Sequence, residues 1–369
     1  MTNELKNIPE LRFPEFDGEW EEYLISEVSK YSSSKRSAIH YENLLNTGVY
    51  PVYDANKEIF KDQSYDMSQK YISILKDGAG VGRLNLRESE SSIIGTMGYI
   101  MAKSIDIEFL YYRLNLIKFK KYIIGSTIPH LYYKDYSAES ICVPIENEQQ
   151  KIAEFFNKLD QQIELEEQKL EKLEEQKKGY MQKIFSQELR FKDESGNEYP
   201  EWEEKKLFDV VKYLSSKRSS NYYSEDIIHG QYPVYDAIQE ISRDTNFDIE
   251  ESYISILKDG AGVGRLNLRP GKSSVIGTMG YLLPQNIDIK FLFYYLKTMN
   301  FNRFVIGSTI PHLYFKDYSK ETILIPIDKS EQIKIGSFFI KLDRIINNKA
   351  KKIKVLRQRK QGFLQKMFI

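Results

Sequence analysis

Three short segments of this sequence carry groups that could do chemistry, and each occurs twice. Ser34-Lys35-Arg36-Ser37 returns as Ser216-Lys217-Arg218-Ser219, a compact basic loop flanked by hydroxyls. Lys76-Asp77-Gly78-Ala79-Gly80-Val81-Gly82-Arg83 returns from Lys258 to Arg265, a glycine-rich turn with a cation at each end. Gly125-Ser126-Thr127-Ile128-Pro129-His130-Leu131-Tyr132 returns with Ser308, Thr309 and His312, offering hydroxyls, an imidazole and a proline-fixed turn. Cations and hydroxyls on loops suit phosphate oxygens, and the same groups can reach base edges. Glycines allow close backbone approach. Each segment also has a plainer reading, as a solvated turn, a tight strand-to-strand turn, and loop structure.

Other chemistries are disfavoured by what is missing. No Gly-Lys-Ser/Thr follows the glycine turn, so it is not a Walker phosphate loop. A methyltransferase would need a catalytic motif such as Asn-Pro-Pro-Tyr, and none is present. His130 and His312 have no accompanying ligand cluster, so a metal is not expected. Cys142 stands alone, with Leu324 at its counterpart, which predicts a core residue and excludes disulfides.

The elements that must position these segments also come in two copies. Tyr71–Arg87 is identical to Tyr253–Arg269, and Trp20 answers to Trp202, at a constant offset of 182. That period is too long for a solenoid unit. The order is domain, helix, domain, helix, with boundaries at 1–145, 146–187, 188–327 and 328–369. Within a domain, Tyr71–Leu75 and Arg83–Leu86 read as strands around the glycine turn, and Ile93–Met101 as another. Ile107–Lys121 has helical spacing and Ile141–Ile145 reads as a short strand. Asn147, with Gln150 three residues on, and Ser330 are the expected caps of the long helices. Gly179 and Gly362 lie inside those helices, each costing about 1 kcal/mol relative to Ala, which suggests close packing there.

Both long helices carry one heptad seam. Ile152, Phe156, Leu159, Ile163, Leu170, Leu173, Tyr180 and Ile184 are matched by Ile335, Phe339, Leu342, Ile346, Ile353, Leu356, Phe363 and Met367. Glu166 and Lys177, and Lys349 and Lys360, are the polar occupants. The 146–188 stretch holds eleven acidic and seven basic residues, whereas 328–369 holds three and twelve, so the two helices should pair with each other. Phe155 and Phe338, Met181 and Leu364, and Phe185 and Phe368 widen the apolar stripe. They are read as docking points for partner helices, the alternative being the chain's own domains. Glu188-Leu-Arg-Phe191 repeats Glu10-Leu-Arg-Phe13, so the halves read as a closed ring opened at one joint.

Composition bounds the rest. The chain has 369 residues, 41% hydrophobic and 29% charged, with formal net charge zero, so bulk charge does not advertise nucleic-acid binding. No apolar run is long enough for a membrane span and Met1–Pro9 has no signal core, so the expectation is cytoplasmic. An antiparallel helix pair would relate the two domains by a pseudo-twofold axis. Each seam would run roughly 48 Å at ~1.5 Å per residue, and such a chain suits a bipartite, inverted DNA target.

Three motifs, each with its second copy, carry a family resemblance. They are Tyr50-Pro51-Val52-Tyr53-Asp54-Ala55, the Lys76–Arg83 loop, and Val143-Pro144-Ile145 leading through Glu148-Gln149-Gln150-Lys151-Ile152-Ala153 into the helix. Together they resemble the specificity subunit of type I restriction–modification systems. The second helix departs from that pattern, reading Glu331-Gln332-Ile333-Lys334-Ile335-Gly336, and the two domains are unusually alike. The resemblance implies an α+β chain: two similar mixed α/β target-recognition domains, and two long helices pairing as an antiparallel coiled coil. It also implies no active site here. The chain would bind double-stranded DNA and dock two methyltransferase (modification) subunits that carry S-adenosylmethionine and methylate adenine N6. Restriction/translocase subunits would join them, and base flipping would be the methylase's task. Matching domains predict similar half-sites in an interrupted inverted repeat. Two alternatives stay open: an autonomous S-adenosylmethionine-dependent methyltransferase, and a coiled-coil scaffold with no DNA role.

Overall fold

The computed structural model describes residues 7–41, 48–219 and 230–369. It divides into two compact units, one of residues 1–167 with 351–369 and one of residues 168–350. Each unit therefore holds one mixed α/β domain together with a part of each long helix.

In the first unit the glycine turn hangs from a four-stranded antiparallel sheet. Its order is Ser29–Ser33, Met97–Ala102, Tyr71–Leu75, Leu84–Arg87. Tyr71–Leu75 is buried along its whole length, as a central β-branched strand should be. A smaller sheet joins Tyr50–Tyr53 to Glu58–Asp62 antiparallel and to Ser92–Ile93 in parallel. Glu21–Leu24 pairs with Ser140–Val143, leaving Cys142 half-buried, where burial pushes its thiol up. The expected single strand over Ile93–Met101 is in fact two, broken at Ile94-Gly95-Thr96. The second unit repeats the plan with Val211–Ser215, Met279–Pro284, Tyr253–Leu257 and Leu266–Arg269.

The expected helix from Ile107 ends at Leu114. Asp106 caps its start, accepting from the Glu108 and Phe109 amides at 2.9 and 2.8 Å. Asn115 ends it by donating its side-chain amide to the Tyr111 carbonyl at 2.7 Å, a local bond that competes with the helical one. A 3-10 turn, Phe119–Tyr122, follows. Lys297 and Thr298 stand at the equivalent positions of the second copy, and its helix runs on to Thr298.

The long helices span Glu146–Phe185 and Lys329–Met367. Asn147 and Ser330 are not their caps, because both lie inside the first turn. Asp328 caps the second helix, its carboxylate accepting from the Ser330 amide at 2.7 Å. The Glu-Gln motif entering each helix is an anchor. Gln149 donates to the Pro144 carbonyl and accepts from the Asp106 amide, both at 2.8 Å, and Gln332 does the same with Pro326 and Asp288. Glu148, 1% exposed, takes a forked bond from Arg12 at 2.7 Å; Glu331 takes Arg190. Thus both copies of Glu-Leu-Arg-Phe hold a helix start.

Segments of the two long helices run antiparallel in each unit. In the first, Lys352 meets Glu166 at 3.0 Å, Arg357 meets Glu167, and Lys360 meets Asp160. In the second, Lys177 meets Asp343 at 2.5 Å and the Phe185 ring stacks on Phe339. In the first unit the charge asymmetry is used directly, with basic side chains of the second helix on acidic ones of the first; the Lys177–Asp343 pair of the second unit runs the other way. Lys360 also lies over Tyr112, whose hydroxyl donates to Asp160, and Lys177 over Tyr294, whose hydroxyl donates to Asp343. Seam polar groups therefore pin each helix pair onto its domain.

Gly179 and Gly362 do not mark close contacts, since a Cβ at either would meet nothing within 4 Å. The tight approach is at Gly336, where a Cβ would fall 2.7 Å from Lys290 Cβ and from the Phe291 nitrogen. Among the described residues no helix is long and apolar enough to cross a membrane.

Candidate nucleic-acid interface

The three repeated segments converge on one stretch in each unit. In the first unit that stretch is Ile94–Met97. The Gly95 amide donates to the Arg36 carbonyl at 2.6 Å and the Ser34 amide to the Met97 carbonyl at 3.2 Å, fixing the basic loop. A Cβ on Gly95 would sit 3.1 Å from that Arg36 carbonyl, so a bare backbone is needed there. The Thr96 carbonyl accepts from Lys76 and Asp77, fixing the glycine turn. That turn in turn holds the third loop, through Gly78 to the Pro129 carbonyl at 2.9 Å and Leu131 to the Lys76 carbonyl at 2.8 Å. In the second unit the Gly277, Ser216, Lys258, Gly260 and Leu313 amides repeat their counterparts' bonds. Gly78, Gly80 and Gly82 all have positive φ, near +95°, +84° and +92°, a backbone only glycine adopts without strain.

Side chains link the loops as well. Asp77 bridges Lys76 Nζ and His130 Nδ1, each at 2.7 Å. Burial alone would raise the Asp77 carboxyl, but hydrogen bonds from Lys76 and His130 outweigh it and hold it below its ordinary range. Asp259 does the same between Lys258 and His312. The histidine ring thereby keeps Nε2 for an outside partner. It stacks beside the exposed Tyr132 ring at 17° between planes, with Lys134 Nζ over that tyrosine, 5.8 Å from its centroid; His312, Tyr314 and Lys316 repeat it. Ser126, Thr127, Ser308 and Thr309 are exposed. Such a shelf offers a π face, hydroxyls and a cation together.

The cations are not equivalent. Lys35, Arg83, Lys217 and Arg265 are exposed. Arg36 and Arg218 face inward. Arg36 binds Asp66 through Nε and Nη2 at 2.8 Å, and Tyr41 through Nη1 at 2.8 Å, and it also meets Asp62. Arg218 is held by Asp244 and Asp248. The expectation that Arg36 and Arg218 contact a phosphate does not fit this geometry, because two carboxylates already occupy each fork. They set the loop that presents Lys35 and Lys217. Sequence reading passed over the two aspartates, although both recur in the second copy.

The six aromatic and aliphatic residues beside the seam do not form an open docking face. Phe368, 6% exposed, packs on Trp20 and Phe109, and Leu364 belongs to the same core. Phe155 meets Phe13, Phe156 and Phe363. Phe185 packs on Phe291, Tyr295 and Phe339, Phe338 on Phe191, and Met181 on the same cluster. The wide apolar stripe is covered by the chain's own domains.

Sequence comparison fixes what this geometry belongs to. The family described as "Type I restriction modification DNA specificity domain" matches twice, over residues 17–175 and 199–358. The chain belongs to that specificity family. The type I restriction enzyme MjaVIII specificity subunit of Methanocaldococcus jannaschii is 28% identical, over 97% of this chain and 93% of the relative. The MjaIX specificity subunit of the same organism is 27% identical over 70% of this chain and 68% of its own length. The fold is shared with the S subunit of the M. genitalium type I system, with a TM-score of 0.73, 19% identity, and coverage of 98% of this chain and 99% of that one. A second solved chain, from work on assembly and conformational transition of the type I R-M system, gives 0.52 at 15% identity over 94% and 97%. Specificity-family chains are non-catalytic, the chemistry residing in other subunits.

Proposed function

We propose that this chain is the DNA-reading subunit of a type I restriction–modification complex. It binds a bipartite, interrupted target whose half-sites are alike and inverted. The observation that carries this reading is the repeated assembly of three loops, with exposed cations, hydroxyls and a histidine–tyrosine shelf, in a specificity-family chain. The antiparallel run of helix segments in each unit supports the inverted order. The partners are double-stranded DNA, two methyltransferase subunits and restriction/translocase subunits. S-adenosylmethionine belongs to the methyltransferase, and the setting is the cytoplasm. Exposed helix side chains such as Leu165, Val355 and Ile345 offer the apolar contacts left for those partners. Net charge of zero does not oppose this, because phosphate contact needs only local cations.

Methylome sequencing of cells with and without the chain tests the reading directly. One interrupted, near-palindromic methylated motif should disappear when the chain is removed. A continuous motif, or no change, would overturn it. On purified complex, Lys35→Ala with Lys217→Ala should weaken binding alike on all sequences and flatten the salt dependence, by about 0.9 per contact in log–log slope. Arg36→Ala removes no phosphate contact of its own, since its guanidinium faces inward, and a change in that slope there should come only through the loop that presents Lys35. An unchanged slope in the lysine pair would exclude both lysines from phosphate contact.

A further inference from the structure

We propose that the two units read one base position differently and that Asn56 and Ile238 set the difference. This rests on the DNA-reading role proposed above. Each residue sits at the tip of the same turn. Asp54 Oδ1 accepts from the Asn56 and Lys57 amides at 2.7 Å, and Asp236 Oδ1 from the Ile238 and Gln239 amides at 2.7 and 2.6 Å. The turns are clamped alike. Asn85 donates to the Ala55 carbonyl and Arg87 to the Asp54 carbonyl; Asn267 and Arg269 repeat both bonds. Arg87 lies 4.0 Å over Tyr53 and Arg269 4.2 Å over Tyr235. The glycine turn beside them is identical in sequence, and its three glycines match within a few degrees of φ. Backbone and clamps are therefore the same, and the tip side chain is what changes.

In the first unit, Arg83 Nη1 donates to Asn56 Oδ1, at an exposed position. The guanidinium is thereby steadied while Arg83 stays exposed. A steadied fork suits guanine O6 and N7, the commonest arginine–base pairing. In the second unit, Ile238 is 69% exposed and offers no acceptor, so Arg265 lacks that tether. An exposed isoleucine at the tip of a reading loop fits the C5 methyl of thymine. Arg265 is then left to find a phosphate. The half-sites should match except at this position, with guanine favoured opposite the first unit and thymine opposite the second, each by roughly tenfold. The next residue also differs, Lys57 against Gln239, and single swaps leave it in place.

The test is the methylated motif of cells carrying the chain with its own methyltransferase, for wild type, Asn56→Ile, Ile238→Asn and the double swap. Wild type should show two half-sites differing at one position. Asn56→Ile should make both thymine-selective there, Ile238→Asn should make both guanine-selective, and the double swap should restore the asymmetric motif. Melting temperatures should stay within about 2 °C, because both swapped side chains are exposed. Identical half-sites in wild type, or a motif that neither single swap alters, would overturn the inference. Absence of any chain-dependent motif in wild type would instead overturn the DNA-reading role on which it rests.

Discussion

Arg36→Ala should destabilise the first unit by about 2–3 kcal/mol at neutral pH. The size follows from what the substitution strands. Asp62 and Asp66 side chains are 25% and 34% exposed, and the guanidinium between them is 16% exposed. Removing one partner of a fully buried pair costs about 3–5 kcal/mol, and residual solvent at both carboxylates trims that figure. At 2–4 °C per kcal/mol for a unit of this size, the melting temperature should fall by roughly 5–10 °C. The pH dependence separates electrostatics from lost packing. Burial raises both carboxyls, but bonds from the Gln63 amide, Arg36 and Tyr41 to Asp62, and from Arg36 and Tyr99 to Asp66, hold both below the ordinary 3.8. A depressed folded value means stability fully present above 3.8 and lost as pH falls through the folded value. The variant lacks that contribution, and protonation relieves its unpaired carboxylates. Its deficit should therefore be largest at pH 7 and shrink below about pH 4. Melts from pH 7 to pH 3 check this, and a deficit constant across the range would assign the effect to packing instead. Arg218→Ala should repeat the behaviour in the second unit, through Asp244 and Asp248.

The same arginine marks where sequence stops being legible. The repeat, the seam and the central strands were readable because each is a local regularity. Periodicity places Phe156 and Phe339 on the seam, and a run such as Tyr-Ile-Ser-Ile-Leu can be little else than a central strand. Arg36 and its aspartates are 26 and 30 residues apart, with no period joining them, so a basic tetrapeptide reads as a surface loop. Asp77 and His130 are 53 apart. Internal duplication supplied a usable signal, since Arg36, Asp62 and Asp66 all recur at the constant offset. Exposed loops of a duplicated domain can change freely, whereas a buried charge must keep its partner in both copies.

The aromatic residues beside the seam failed for another reason. Spacing shows that a stripe is wider than one partner helix can cover, but not what covers it. Here the cover is partly the short domain helix, Ile107–Leu114 or Ile289–Thr298, which brings Phe109 against Phe368 and Phe291 with Tyr295 against Phe185, and partly the Glu-Leu-Arg-Phe segments, whose Phe13 and Phe191 lie against Phe155 and Phe338. Gly179 and Gly362 mislead similarly. Helical glycine signals either close packing or mere tolerance, and only Gly336, where the first copy has Ala153, meets a neighbour.

Phe339→Ala should be the most damaging single truncation in the second unit, at about 3–5 kcal/mol. The side chain is fully buried where three elements meet. Phe185, from the end of the first long helix, stacks on it at 5.8 Å, and Tyr294, from the domain helix, lies at 5.0 Å. Its neighbour Phe338 meets Phe191 and Tyr180 at the edge of the same cluster. Removing the ring opens a cavity lined by large aromatics, whose flat faces cannot close together without leaving the stacked geometry. Phe339→Leu, which keeps much of the volume, should cost less than about 2 kcal/mol. Phe338→Ala, partly buried at the edge, should fall between them. Because the chain has two compact units, a single unfolding free energy is not defined, and calorimetry resolving two transitions is the appropriate measurement. Phe339→Ala should lower one transition, and Phe156→Ala, its counterpart against Tyr112 and Phe368, the other. Equal loss from both transitions in either variant would mean that the two aromatic clusters do not belong to separable cores. The seam would then be the shared cooperative element, and the paired lysines Lys177 and Lys360, each held by an aspartate across the helices, would become the next residues to remove.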